Sequence, residues 1–171
     1  MFELLFALSG PLPVPATPPR LPVAVVVVSL DNATQGQIRY GRSTVGAVGG
    51  EHGAFTFTPP PLQETAFQAC LDDDLERAAT CARFYIGHHN AREARPPVVV
   101  VLLADAGDDE EFKAGQLQVT CVGVGEAATN PKRQTIKLWP GAIRVHGMNA
   151  ALEDRNAITG CIAAAGAESG W

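Results

Sequence analysis

Residues 96–105, Pro-Pro-Val-Val-Val-Val-Leu-Leu-Ala-Asp, constrain this chain more than any other stretch. The apolar run is far shorter than the roughly 20 residues that a membrane helix needs. Its β-branched side chains favour an extended backbone, so it reads as a strand covered on both faces. A second such run, Val23 to Leu30, follows Arg20-Leu21-Pro22 and stops at Asp31-Asn32, which carry turn chemistry. The pair predicts two central strands, and every other segment has to join them or pack on them.

The remaining segments supply candidates. Gln37 to Tyr40 reads as a short partner strand, because Ile38 and Tyr40 fall on one face of a two-residue period. Gly41 to Gly53 carries five glycines, too permissive for the interior of a regular element, and reads as a mobile loop. Ala54 to Thr58 alternates aromatic residues with Thr and is stopped by Pro59-Pro60-Pro61, as a half-buried strand would be. From Leu62 to Ile86 the residues Phe67, Leu71, Leu75, Ala78, Ala82 and Tyr85 recur at helical spacing, with Asp72-Asp73-Asp74 either on the solvated side of one helix or at the joint between two. Gln116 to Val124 and Gln134 to Trp139 are further strands, and Asn149 to Ala165 is a helix with Gly166 at the C-cap position.

Together these segments predict an α+β fold of two layers, a mostly antiparallel sheet of five or six strands with two helical segments packed on one face. Each half then runs β-β-β-α. Arg20-x-Pro22-Val23 also has a counterpart in Arg95-x-Pro97-Val98, so an internal duplication would account for both facts. The expected organisation is a cleaved signal or disordered proline-rich tail over 1–20 and a single α+β domain over 21–171. Phe2 to Leu8 is apolar and Val14-Pro15-Ala16 offers a cleavage site, although Glu3 stands where a signal would carry positive charge.

Four cysteines, Cys70, Cys81, Cys121 and Cys161, lack the C-x-x-C spacing of zinc or redox motifs, which leaves disulfides or buried thiols. Cys121 falls on the apolar side of its strand and Cys161 on the apolar side of the last helix, so a bridge between them is geometrically natural. Eleven residues of straight helix rise about 16 Å, whereas a disulfide needs Cα atoms within about 7 Å. Cys70 and Cys81 can therefore pair only if the helix breaks near Asp72 to Asp74.

Chemistry is sparsely signalled. Gly123-Val124-Gly125-Glu126-Ala127-Ala128 satisfies G-x-G-x-x-A, but Thr129-Asn130-Pro131 all but forbids the helix that a dinucleotide site requires and Arg144 and His146 stand where its ribose-binding acid belongs, so a glycine-eased strand exit is the better account. The acidic loop with Asp105, Asp108, Asp109, Glu110 and Glu111 lacks the spacing of a calcium loop and reads as a solvated face. His88-His89 with Glu93 has no metalloprotease spacing, and Trp139 reads as a core or turn anchor. No catalytic, cofactor or metal set is assigned.

With a net charge of −5 and only Lys132, Arg133, Lys137 and Arg144 loosely grouped, the chain has no stripe for nucleic acid, and no run suits a membrane span. The expected function is a small exported, non-catalytic binding module, periplasmic or extracellular, whose partner is a protein or an envelope component. The alternative is a hydrolase between the Gly41 to Gly53 loop and the Pro140 to His146 turn, with His52 and His146 as acid and base and Glu51 orienting one of them.

Overall fold

A computed structural model describes residues 23–82, 98–108, 110, 115–124 and 132–166. Both valine runs are central strands: β1 (Ala24–Ser29) and β3 (Val98–Asp108) lie side by side in a five-stranded sheet of order β2-β1-β3-β4-β5. β2 (Phe55–Phe57), β4 (Gly115–Val124) and β5 (Arg133–Leu138) complete it. The sheet is mixed rather than mostly antiparallel, since β1 is parallel to both β2 and β3, while the β3–β4 and β4–β5 pairs are antiparallel.

That parallel half follows from a helix where sequence periodicity suggested a strand and a loop. α1 (Gln35–Glu51) takes in Gln37 to Tyr40 and nearly all of the glycine-rich stretch. Thr34 and Gln37 form a capping box: the Gln37 N–H donates to Thr34 Oγ1 at 3.3 Å and the Thr34 N–H to Gln37 Oε1 at 2.8 Å. Two of the four N–H groups left open at a helix start are thereby satisfied. Gly41 is needed for contact: a Cβ there would lie 2.8 Å from Leu103 Cδ1 and 2.9 Å from Leu117 Cδ2, so its absence lets the helix backbone sit on the sheet. The first half is thus strand, helix, strand, helix, and the β-β-β-α duplication is overturned.

The 62–86 segment is also broken. α2 (Pro61–Leu71) begins with proline at its first position, where a missing N–H costs nothing, and ends at Asp72 in the left-handed conformation, φ 46°. Asp73 is left-handed too, φ 58°, and a 3-10 turn (Leu75–Arg77) leads into α3 (78–82). This hairpin brings Cys70 and Cys81 to a Cα separation of 5.7 Å, and they form a disulfide. Residues 83–86 of the expected helix lie outside the described residues.

The two expected helical segments pack on opposite faces, which corrects the two-layer picture. α1 and α5 (Met148–Ala165) cover one side, where Val25, Val27, Val101, Leu103 and Val119 meet Val45, Val48, Ile158 and Ile162. On the other side Val26, Val28, Val100 and Leu102 meet Phe67, Leu71, Ala78 and Ala82. A strand whose alternate residues are all apolar has two faces to bury, so helices are required on both. Cys121 and Cys161 are bonded within the first layer, with Cα atoms 5.8 Å apart, and a short helix α4 (Ala142–His146) links β5 to α5.

Candidate functional site

The register Val26↔Val100 through Ser29↔Leu103 brings the carboxyl ends of β1 and β3 together, with Asp31 and Asp105 each two residues beyond the last pair. Asn32 and Gln37 tie this end: the Asp105 N–H donates to Asn32 Oδ1 at 3.3 Å, and Gln37 Nε2 donates to Asp105 Oδ1 at 2.7 Å and to the Gln116 carbonyl at 3.0 Å. The chain leaves β1 for α1 on one face and β2 for α2 on the other. Open sheets carry ligand crevices outside the carboxyl ends of their strands at such a divergence.

Two adjoining hollows occupy that position and share Leu30, Asp31 and Gln68. In the smaller, about 260 Å³, several polar groups bind one another, although Arg42 Nε is buried without a partner. Arg42 Nη2 reaches Glu64 Oε1 at 3.2 Å and Ser29 Oγ at 3.0 Å; Glu64 also accepts from the Ser29 N–H, and Gln68 donates to the Ser29 carbonyl. This network pins α1 and α2 across the end of β1. The larger hollow, about 520 Å³, lies between that end, the tip of β3 and the Asp72–Asp73 hairpin. Leu30, Leu71, Leu75 and Ala104 supply apolar surface and Asp31, Asp72 and Asp73 add acidic residues to its lining, while the carboxylate of Asp105, also at its edge, is held by Gln37 of α1. Its volume is within the range of small-ligand pockets.

Among the described residues no three His, Cys, Asp or Glu side chains could hold a metal ion together. Asp105 and Asp108 belong to β3, which runs on through an irregularity between Asp105 and Gly107, so the acidic stretch begins as strand rather than loop. Glu110 is exposed, and Asp109 and Glu111 lie outside the described residues. So do His88, His89, Glu93 and the G-x-G-x-x-A motif from Gly125 onward; Gly123 is in β4, facing the Ala165 carbonyl of α5.

The proposed hydrolase residues do not assemble at either hollow. His52 caps the C-terminal end of α1, His146 ends α4, both are exposed, and neither lines the hollows. Glu51 is ion-paired with Arg155. Trp139 is 41% exposed and follows β5; its backbone N–H donates to Asp154, whose carboxylate also accepts from the Tyr40 hydroxyl. Burial, with a smaller contribution from Glu153, holds the Asp154 carboxyl above its usual range against the lowering effect of those hydrogen bonds. Burial and then Asp154 itself push the Tyr40 phenol up as well.

Asp31, Asp72 and Asp73 as walls of one hollow were not identified from the sequence, which read them as turn and joint residues. The available signal was that both valine runs end in Asp, which a parallel pairing of those runs sets side by side.

No protein-family model matches the chain, and no curated protein matches its sequence. Among solved structures, the lipoprotein GNA1162 from Neisseria meningitidis is similar at 14% identity and a TM-score of 0.41, over 80% of this chain and 99% of that one. So loose an overlap supports no argument about function. The two disulfides are consistent with an exported or envelope protein. Among the described residues no helix is long and apolar enough to cross a membrane.

Proposed function

We propose that this protein is an exported, non-catalytic binding module of the cell envelope that takes a cationic segment of a partner protein into the 520 Å³ hollow at the carboxyl ends of β1 and β3. The observation that carries the reading is the placement of that hollow beyond the carboxyl ends of β1 and β3, beside the left-handed hairpin, with Asp31, Asp72 and Asp73 around apolar side chains. A lysine or arginine side chain suits such a lining, its methylene stem against Leu30, Leu71 and Leu75 and its charged head among the aspartates. The disulfides support export, because such bonds persist in oxidising compartments. In this reading residues 1–20 are the export signal and 21–171 the exported domain.

Binding of a fluorescent lysine octapeptide, followed by anisotropy, tests the site. Asp72→Asn with Asp73→Asn is expected to weaken binding about fivefold or more, on the order of 1 kcal/mol in all for two exposed charges. Asn tolerates the left-handed backbone as well as Asp does, so only charge is removed. A charge-matched control, Asp108→Asn with Glu153→Gln, changes residues that line neither hollow and is expected to bind like wild type. Equal losses in the two variants would mean that the peptide reads only the net charge, and the proposal would fail.

A further inference from the structure

The same hairpin that supplies Asp72 and Asp73 to the hollow is closed by the Cys70–Cys81 disulfide, eleven residues apart in sequence. We infer that this disulfide is a reducible clasp on the wall of the hollow, through which a dithiol reductant controls binding; the inference rests on the binding reading above and adds its regulation. The two disulfides differ in access. Cys121 and Cys161 are 0% and 1% exposed, between sheet and helix, whereas Cys81 is 2% exposed and Cys70 is only partly buried, at the last turn of α2. Attack on a disulfide needs a line of approach to one sulfur, and of the four cysteines Cys70 alone is not buried.

Exchange begins when a thiolate of the dithiol bonds to the Cys70 sulfur and the Cys70–Cys81 bond breaks, its electron pair leaving on Cys81, which takes up a proton. The second thiol of the reductant then attacks the mixed disulfide, releases Cys70 as a thiol and closes the reductant into its own disulfide. Two electrons and two protons pass to the protein.

What holds the hairpin tip after that is an exposed ion pair from Arg133 of β5 to Glu76 and a few local hydrogen bonds. The Asp72 N–H donates to the Gln68 carbonyl at 3.2 Å, the Asp74 N–H to the Leu71 carbonyl at 2.9 Å and the Arg77 N–H to the Asp74 carbonyl at 3.0 Å. Asp72 and Asp73 are two successive left-handed residues, an arrangement that even Asp adopts mostly singly, so the released hairpin has conformations to relax into. Phe67, Leu71, Ala78 and Ala82 remain anchored in the core, and opening is therefore confined to the wall carrying the aspartates.

The experiment treats the oxidised full chain with dithiothreitol under native conditions, counts thiols by alkylation and mass spectrometry, and follows amide exchange over residues 71–77 together with affinity for the lysine octapeptide. The expected result is two thiols, on Cys70 and Cys81, before any on Cys121 or Cys161. Exchange over 71–77 accelerates, and the apparent Kd rises about tenfold if the competent wall is then populated one-tenth of the time. Reoxidation restores both. Cys70→Ser with Cys81→Ser should show the weakened affinity with or without dithiol. Release of all four thiols together, or a reduced Cys70–Cys81 pair with unchanged exchange and affinity, would overturn the clasp. Failure of the oxidised protein to bind the peptide would sink the binding reading instead, and the exchange rate over 71–77 alone would then decide whether the clasp exists.

Discussion

One face of the sheet is closed by two long helices, the other by a broken hairpin, and the two closures are built differently. On the first, α1 and α5 are 17 and 18 residues long, and the Cys121–Cys161 bond ties α5 to β4 within the core. On the second, among the described residues, an 11-residue helix, a 3-10 turn and α3 pack over β1 and β3, and from β4 Val122 and Val124 join that cluster. Farther across β4 and β5 the same face turns polar, with Thr120 and Thr135 hydroxyls 3.1 Å apart, Lys137 exposed and Arg133 reaching Glu76 of the 3-10 turn. Both candidate hollows are bordered by residues of the second closure. Among the described residues, the hollows open where the broken hairpin meets the strand ends, and α1 contributes only to the smaller one.

This contrast can be broken most directly at the disulfides. Removing the buried pair with Cys121→Ala and Cys161→Ala should cost about 4 kcal/mol by the chain-entropy estimate for a 40-residue loop, against about 3 kcal/mol for Cys70→Ala with Cys81→Ala over 11 residues. Urea unfolding of the two variants measures both, and a larger loss at Cys70–Cys81 would reverse the assignment of which face is the scaffold. A smaller effect sharpens the same point: Gly41→Val would press Cβ and methyl groups into Leu103 and Leu117, so a loss of about 2 kcal/mol is expected in the same assay. Unchanged stability would show that α1 does not approach the sheet as closely as described.

The smallest effect concerns pH. The folded-state pKa of Asp154 is raised, so the native state binds its proton more tightly than the unfolded chain does. Its contribution is then most favourable below the unfolded-state value and is lost as pH rises through the folded-state value. Stability of the wild type relative to Asp154→Asn should accordingly fall from the acid side toward neutrality, and thermal unfolding at a series of pH values reads the slope. A relative rise with pH would show that the hydrogen bonds from Tyr40 and Trp139 outweigh burial.

How much of this was legible in the sequence depends on which physical signal dominated locally. The valine runs, the strands near 116–124 and 134–139 and the final helix follow from periodicity, because nothing in those segments competes with it. α1 was missed because its glycines lower intrinsic helix propensity and dilute the apolar stripe, while the Thr34-x-x-Gln37 capping box that starts it was overlooked. The placement of both helices on one face conflicted with the reading of β3 as covered on both: its alternate residues, Val99 and Val101 against Val100 and Leu102, already demanded two layers. The break at Asp72 to Asp74 was foreseen as the condition for joining Cys70 to Cys81. The hollow itself was not legible, because its walls come together only through the parallel register of β1 with β3.

The ends of the sheet bear on how the molecule keeps company with its own kind. β2 offers three residues to a newcomer, and β5 carries Arg133 and Lys137, so strand-by-strand growth would meet either too short a template or unburied positive charge. The valine-rich centre, the most amyloid-like sequence in the chain, is thereby screened on both flanks from templating fibrils.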